Sequence, residues 1–91
     1  LNGWERLGRL TIKIGLYEKA EEIYLALIEL PQHEIITAYF HFQLGSIKYQ
    51  QGLYKASIEY HQKSLEIRLR NLPADHAQIA MSYNGLGAAH H

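Results

Sequence analysis

The sequence predicts an all-α fold in which antiparallel helix hairpins stack side by side, with about five helices. Two observations lead to this prediction. Apolar residues recur at three- and four-residue steps along most of the chain, which is the spacing of a single helix face. The tripeptide Gly-Leu-Tyr stands at 15–17 and again at 52–54, and each time it interrupts one helical pattern and starts the next. A lone hairpin of this size cannot bury its apolar stripe, so the copies must cover one another.

The first hairpin spans about residues 4–30. Its first helix ends at Gly15, because glycine adopts the positive φ of a tight turn without a steric penalty. Its second helix begins at about Tyr17 and stops at Pro31, which has no backbone N–H to donate. These boundaries predict two helices joined by one short turn. The apolar face of the first helix consists of Trp4, Leu7, Leu10 and Ile14.

The second hairpin consists of a third helix over about residues 34–51 and a fourth over about 54–70. The third carries too many large apolar residues for one narrow stripe, so we expect other helices on two of its sides. On the fourth, the spacing predicts one stripe that faces a neighbouring helix. The apolar members of that stripe are Ile58, Leu65 and Leu69, and the residues beside them are Ser57, His61 and Ser64.

A fifth helix is predicted after Pro73. Asp75 and Gln78 have the acid-x-x-Gln spacing of a capping box, which predicts that the helix starts at Asp75. Its predicted buried face consists of Ile79, Tyr83 and Leu86.

Three Leu-Gly pairs mark the first helix of each unit. Their glycines are Gly8, Gly45 and Gly87, which are 37 and 42 residues apart. A glycine inside a helix costs about 1 kcal/mol relative to alanine, so its recurrence at one position needs a structural reason. We expect these sites to be places where two helix backbones approach closely.

The composition excludes several classes of function. Nine basic and nine acidic side chains give no net charge, so neither nucleic acid nor an anionic membrane surface is an expected partner. The chain contains no cysteine, which excludes a disulfide framework, a thiolate metal site and a cysteine nucleophile. No apolar run reaches the length of a membrane span, and no signal peptide is visible. The expectation is a cytoplasmic protein.

No catalytic or metal-binding pattern is complete. His33-Glu34 begins the H-E-x-x-H pattern of zinc proteases, but Thr37 stands where the second histidine is needed. The glycines lie singly in helices and turns, and the chain contains no G-x-x-x-x-G-K phosphate loop. No serine, histidine and acid set with oxyanion donors is recognisable. We therefore expect no metal, no cofactor and no enzymatic activity.

The first unit resembles the tetratricopeptide repeat in eight positions. These are Trp4, Leu7, Gly8, Gly15, Tyr17, Ala20, Tyr24 and Pro31. The second unit matches at fewer positions and has small-for-small changes at the usual alanines. It keeps Leu44, Gly45, Gly52 and Tyr54, with Ser57 and Ser64 at the alanine positions and His61 at the aromatic one.

The longer second period resembles the 42-residue variety of this repeat that occurs in kinesin light chains. Under this resemblance, repeat 1 covers 1–33, repeat 2 covers 34–74, and the first helix of a third repeat covers 75–91. Because the chain starts at Leu1 without a methionine and ends within a helical pattern at His91, we expect it to be a fragment of a longer protein.

The resemblance implies a right-handed α-solenoid whose first helices line a concave groove. In this family the groove binds a peptide or a partner protein. The family's groove positions fall on Asn2, Glu5, Arg9, Ile12 and Lys13, on Tyr39, Phe42, Ser46, Tyr49 and Gln50, and on Met81, Asn84 and Ala88. Asn84 stands where related grooves bind a peptide backbone amide. Glu5 and Phe42 occupy the equivalent place in the other units, so the Lys/Asn clamp for chaperone C-terminal carboxylates is not reproduced.

Two questions stay open at this point. Tyr39, Phe42 and Tyr49 fit an aromatic platform for a peptide, and they fit packing in the core equally well. The function also has an alternative, a structural spacer or self-association segment inside a larger protein. The last helix has no following partner, so its apolar residues would form a homo-oligomer contact unless another chain covers them.

Overall fold

A computed structural model describes the backbone of residues 2–90 and the side chains of residues 3–90. This part of the chain is all-α, without strands, as predicted. Each helix packs against the next one along the chain, and α3 also contacts α5, which is the arrangement of stacked hairpins. The five helices are α1 (Asn2–Lys13), α2 (Tyr17–Ile28), α3 (Glu34–Gln50), α4 (Tyr54–Asn71) and α5 (Ala77–His90).

The two Gly-Leu-Tyr turns have the same geometry. Gly15 and Gly52 have φ values of 83° and 79°, which explains why glycine stands at both places. In the first turn, the N–H of Leu16 donates to the carbonyl of Thr11 at 2.8 Å, and in the second, Leu53 donates to Lys48 at 2.9 Å. These are the backbone bonds of a Schellman motif, so both first helices end in the same way.

Histidines cap the helices that follow the two prolines. The backbone N–H of Ile35 donates to Nδ1 of His33 at 3.0 Å, and that of Gln78 donates to Nδ1 of His76 at 3.1 Å. The prediction of a capping box that begins at Asp75 is wrong. Since α5 begins only at Ala77, Asp75 lies too far ahead of the first helical turn to cap it.

The apolar core lies between α2 and α3, where α3 has neighbours on more than one side as predicted. Tyr24 and Phe40 form its centre, with ring centroids 5.7 Å apart. All six core side chains are at most 3% exposed. They are Ala20, Tyr24, Leu27, Phe40, Leu44 and Ile47.

The buried stripe of α4 is polar, which corrects the prediction from the apolar spacing. Leu69 is 48% exposed, and Ile58 and Leu65 are only partly buried. The residues that pack inward lie four, three and four apart, which is an equally good helix face. They are Ser57, His61, Ser64 and Arg68, all at most 2% exposed.

The buried serines of this stripe find polar partners. Ser57 Oγ donates to the carbonyl of Gly45 at 2.7 Å, and Ser64 Oγ lies 3.4 Å from Ser82 Oγ. On α5, Ile79 is buried as predicted, but Tyr83 is 55% exposed and the prediction for it is wrong. The buried residues of α5 are Ile79, Ser82 and Ala89, and Tyr83 does not belong to this set.

Three of the helix glycines, Gly8, Gly45 and Gly85, have an aromatic ring and not a helix backbone as their nearest neighbour. A Cβ atom on Gly8 would lie 2.9 Å from the Tyr24 ring, and one on Gly45 would lie 2.7 Å from the His61 ring. The predicted backbone approach is therefore wrong. Gly85, inside α5, lies on another side of His61 at an equally short 2.7 Å. At Gly87 a Cβ would meet nothing within 4 Å.

Candidate functional site

The first helices of the hairpins lie side by side. The hydroxyl of Tyr39 on α3 donates to Oε2 of Glu5 on α1 at 2.9 Å, and α3 is also in contact with α5. The predicted groove residues are distributed along these three helices. Of the predicted groove residues, the structure brings Glu5 of α1 and Tyr39 of α3 into direct contact.

A network of polar side chains connects α1, α2 and α3. Arg9 Nε lies 2.8 Å from Glu5 Oε2 in an ion pair between residues i and i+4. On the other side of the network, Gln43 Nε2 donates to the hydroxyls of Tyr39 at 3.1 Å and Tyr24 at 3.3 Å. The ion pair and these hydrogen bonds thus join predicted groove residues of α1 and α3 into one network.

Burial and the hydrogen bond to Glu5 raise the pKa of Tyr39. Burial is also the main cause of the raised pKa of Tyr24. Both phenols therefore stay protonated over the physiological range, and Tyr39 keeps its role as the hydrogen-bond donor to Glu5. The network is a structural connection between helices that does not change with pH near neutrality.

Phe42 packs over two buried polar residues of α4. Its ring lies edge-on to the His61 ring with centroids 5.1 Å apart, and the Arg68 guanidinium lies 5.0 Å from its centroid. This is cation–π distance, and it covers the charged group with an aromatic face. Phe42 is half-buried.

Tyr39 and Tyr49, the other two aromatic residues of the predicted platform, pair with different rings. Tyr39 lies 5.8 Å from Phe40, and Tyr49 lies 5.4 Å from Tyr54 at the start of α4. Along residues 3–90, the three rings are not paired with one another.

The remaining groove residues differ mainly in exposure. Ser46 donates its hydroxyl to the carbonyl of Phe42 at 3.2 Å, within α3. The half-buried residues are Glu5, Ile12, Tyr39, Phe42 and Ser46. The exposed residues are Arg9, Lys13, Tyr49, Gln50, Met81, Asn84 and Ala88. The side chain of Asn2 lies outside the described residues.

Comparison with known families identifies the repeats. Two family models, both described as tetratricopeptide repeat, match residues 1–33 and residues 34–91. The second match alone covers more than half of the chain. The chain belongs to the tetratricopeptide repeat family. No curated protein and no solved structure matches it.

Tetratricopeptide repeats are in general protein–protein interaction modules. None of the described helices is both long and apolar enough to cross a bilayer. Within residues 3–90, His, Asp and Glu side chains do not come together in groups of three that could share a metal ion. The exposed residues at the predicted groove positions carry aromatic, amide, thioether and basic side chains, together with the methyl group of Ala88.

Sequence reasoning missed two residues that contact predicted groove residues of this tetratricopeptide repeat chain. Gln43 connects Tyr39 to Tyr24, and its only signal was a position four residues after Tyr39 on the same helix face. The guanidinium of Arg68 lies against the ring of Phe42. The sequence signal that could have identified Arg68 was the four-three-four spacing of polar residues on α4.

The polar layer under Phe42 has an unusual electrostatic character. Burial and, to a smaller extent, the positive charge of Arg68 lower the pKa of His61 to about 4. Burial also lowers the pKa of Arg68. Arg68 donates through one guanidinium nitrogen to the carbonyl of Gln78 and to Ser82 Oγ, both at 2.9 Å, while its Nε has no partner. A neutral imidazole and a guanidinium therefore both lie against the ring of Phe42.

Proposed function

We propose that the concave face formed by α1, α3 and α5 binds a peptide segment or a partner protein. The observation that carries this proposal is the hydrogen-bonded connection from Glu5 through Tyr39 to Gln43. It holds neighbouring first helices together through side chains that are part-buried and mutually bonded. A pre-ordered surface loses less conformational entropy when a partner binds, which increases affinity.

The exposed residues of the groove suit a protein partner. Tyr49 is 38% exposed and Met81 43%, and both kinds of side chain are enriched at interfaces. Asn84 and Gln50 offer amide groups that can donate to and accept from a peptide backbone. Lys13 adds a positive charge at one end of the groove. We expect a partner with apolar side chains at its centre and polar or acidic groups near α1.

A binding experiment with matched variants tests this proposal. Peptides of about twelve residues would be selected from a random library on the immobilised chain, and their affinity measured by fluorescence anisotropy. Met81→Ala and Asn84→Ala should each weaken binding by about fivefold or more, in line with truncated interface contacts of ~1 kcal/mol. Leu25→Ala is the matched control, because Leu25 on α2 is 42% exposed but lies outside the groove.

Circular dichroism of each variant keeps folding separate from binding. If Met81→Ala and Asn84→Ala leave the affinity of every selected peptide unchanged, or if Leu25→Ala weakens it most, the groove proposal fails.

The second candidate is a spacer or self-association segment that acts through α5. The exposed Tyr83 and the open surroundings of Gly87 favour it, since an apolar face of α5 is uncovered. Self-association through this helix predicts that Tyr83→Asp lowers the mass of the chain in light scattering. We also propose that the repeats are of the kinesin-light-chain variety, since the two matching family models do not separate this variety from other tetratricopeptide repeats.

A further inference from the structure

His61 is buried inside the stack, where three helices meet. We call the region where α4 meets α3 and α5 the second seam, and His61 is 2% exposed within it. A Cβ atom on Gly45 of α3 or on Gly85 of α5 would lie 2.7 Å from its ring. The ring of Phe42 on α3 also lies edge-on to it, with centroids 5.1 Å apart. The imidazole is therefore enclosed by neighbours on both α3 and α5.

A different kind of ring stands at the equivalent position of the first seam, where α2 meets α1 and α3. Tyr24 precedes His61 by 37 residues, which is also the spacing of Gly8 and Gly45. Tyr24 is fully buried against Gly8, and its hydroxyl accepts a hydrogen bond from Gln43. Burial raises the pKa of Tyr24, so this ring gains no charge when the pH falls below neutrality. Of the two equivalent rings, only the imidazole can become charged in mild acid.

The groups that face His61 offer nothing to balance a positive charge. Its Nδ1 is buried and has no hydrogen-bond partner. On its own helix it is near the guanidinium of Arg68, which repels an imidazolium. α3 faces it with Phe42 and Gly45. α5 faces it with Gly85 and contains no Asp, Glu, Lys or Arg.

The charged residues elsewhere on these helices are paired with other residues or exposed. On α3, Glu34 forms an ion pair with Arg70. Lys48 forms another with Glu21 of α2. His41, the other histidine of α3, bonds to the carbonyl of Thr37. The carboxylates of α4, Glu59 and Glu66, are exposed, and so is His90 of α5. Along these three helices, no carboxylate therefore faces the buried imidazole.

We infer that the second seam is an acid-sensitive joint of the helix stack, at which protonation of His61 separates α5 from α3 and α4. Opening breaks the hydrogen bonds that Arg68 donates to Gln78 and Ser82 of α5. The joint lies between helices that are all described, and further repeats after α5 would leave its contacts in place.

The size of the effect follows from the proton affinity of the two forms. Burial and the charge of Arg68 hold the pKa of His61 at about 4 in the closed seam, against 6.5 for an ordinary histidine. The open seam therefore binds the proton more tightly, and acid favours it. Between about pH 7.5 and about pH 5, the ratio of open to closed seam should rise roughly thirtyfold.

The joint also regulates the groove, a consequence that rests on the proposed function. Met81 and Asn84 lie on α5, whereas Phe42 lies on α3. When α5 separates, these groove residues move away from those of α3. Acid should therefore weaken peptide binding that depends on Met81 or Asn84.

Thiol labelling of the whole 91-residue chain tests the joint without any peptide. The chain contains no cysteine, so one introduced thiol is the only reactive one. Ser64→Cys reports the second seam and Ala20→Cys the first, since both residues are 0% exposed. An aromatic disulfide reagent that reacts in acid is used, and each rate is divided by that of the exposed Lys55→Cys at the same pH. This division removes the effect of pH on the thiol itself.

We expect the normalised rate of Ser64→Cys to rise about thirtyfold between the two pH values. It should also exceed that of Ala20→Cys at both, because the seam opens locally. Adding His61→Phe, which copies the aromatic ring of the first seam, should remove most of the rise. His61→Gln is the second variant, which keeps a polar side chain that cannot titrate. Circular dichroism confirms that each variant is helical.

Three outcomes overturn the inference. They are a normalised rate of Ser64→Cys that does not change with pH, a rise that persists in both His61 variants, and equal rates for Ser64→Cys and Ala20→Cys, which would mean that the chain opens only as a whole. Any of them leaves the groove proposal standing. If instead the joint opens as expected but acid leaves the affinity of the selected peptides unchanged, the groove proposal fails and the joint remains.

Discussion

The two hairpins use the same helix geometry with opposite chemistry. In the first seam, where α2 meets α1 and α3, Tyr24 packs on Gly8 and its hydroxyl accepts from Gln43. In the second, where α4 meets α3 and α5, His61 takes the equivalent place, between Gly45 and Gly85. The remaining buried residues are mostly apolar in the first seam and mostly polar in the second. The two units thus share one packing arrangement, an aromatic ring against a glycine, but differ in the polarity of the residues around it.

This difference in chemistry predicts a difference in stability. Each large apolar side chain buried in the first seam contributes about 1.5–3 kcal/mol. A buried polar group in the second contributes only about 1 kcal/mol when it is bonded, and it costs free energy when it is not. His61 Nδ1 and Arg68 Nε are both buried without a partner. We therefore expect α5 to be held less firmly than α2 and α3.

The largest expected effect is at Arg68. Arg68→Ala removes its two hydrogen bonds to α5 and its packing against Phe42, and should lower the free energy of unfolding by about 3 kcal/mol. Arg68→Met keeps most of the volume and removes a buried charge that forms no ion pair along residues 3–90. It should cost less than about 1 kcal/mol. Urea unfolding measures both.

If Arg68→Met proved as costly as Arg68→Ala, the charge itself would be stabilising and the second seam would not be the weaker one.

The next effect is the pH dependence that His61 introduces. Because its pKa is lowered from 6.5 to about 4 in the folded chain, the unfolded chain binds the proton first as the pH falls. The stability that the folded chain has while His61 is neutral is fully present above pH 6.5, and it is lost progressively as the pH falls towards 4. Between about pH 7.5 and about pH 5, this group should reduce the free energy of unfolding by about 2 kcal/mol.

His61→Phe is the control, since it retains an aromatic ring on Gly45 but cannot titrate. The difference between the two pH profiles isolates His61 from His41, whose pKa burial also lowers. Parallel profiles for wild type and variant would contradict the assignment.

The smallest effects compare the three equivalent glycines. Gly45→Ala should destabilise by about 1–2 kcal/mol, because the new methyl group meets a His61 ring that Gly85 also restricts. Gly8→Ala should stay within about 1 kcal/mol, since the better helix propensity of alanine offsets contact with the outer end of Tyr24. Gly87→Ala should stabilise by about 0.5 kcal/mol, as its surroundings are open. Thermal unfolding of the three variants gives this order, and a destabilising Gly87→Ala would be evidence against it.

Local signals in the sequence predicted the helices and the turns well. Gly15 and Gly52 have the positive φ that their tight turns require, and α2 ends before Pro31 as expected. The family assignment came from the same short-range pattern. These features depend on residues close together in the chain, so a single sequence contains them.

The contacts between helices were less predictable. Apolar spacing selected Leu69 on α4 and Tyr83 on α5 as buried, and both are exposed. The face of a helix that packs inward depends on what its neighbours offer, and here Gly45 and Gly85 accept the ring of His61. Likewise, the connection between Tyr39 and Glu5 joins residues 34 positions apart, which no local pattern reveals.

Native-state hydrogen exchange, residue by residue, compares the two seams most directly. The amides of α2 and α3, such as those of Tyr24 and Leu44, should exchange only through global unfolding. The amides of α5 around Ser82 should exchange through a local opening that costs at least about 2 kcal/mol less, or roughly thirtyfold faster exchange. Equal protection of α5 and α3 would show that the polar seam is as strong as the apolar one, and would contradict the account.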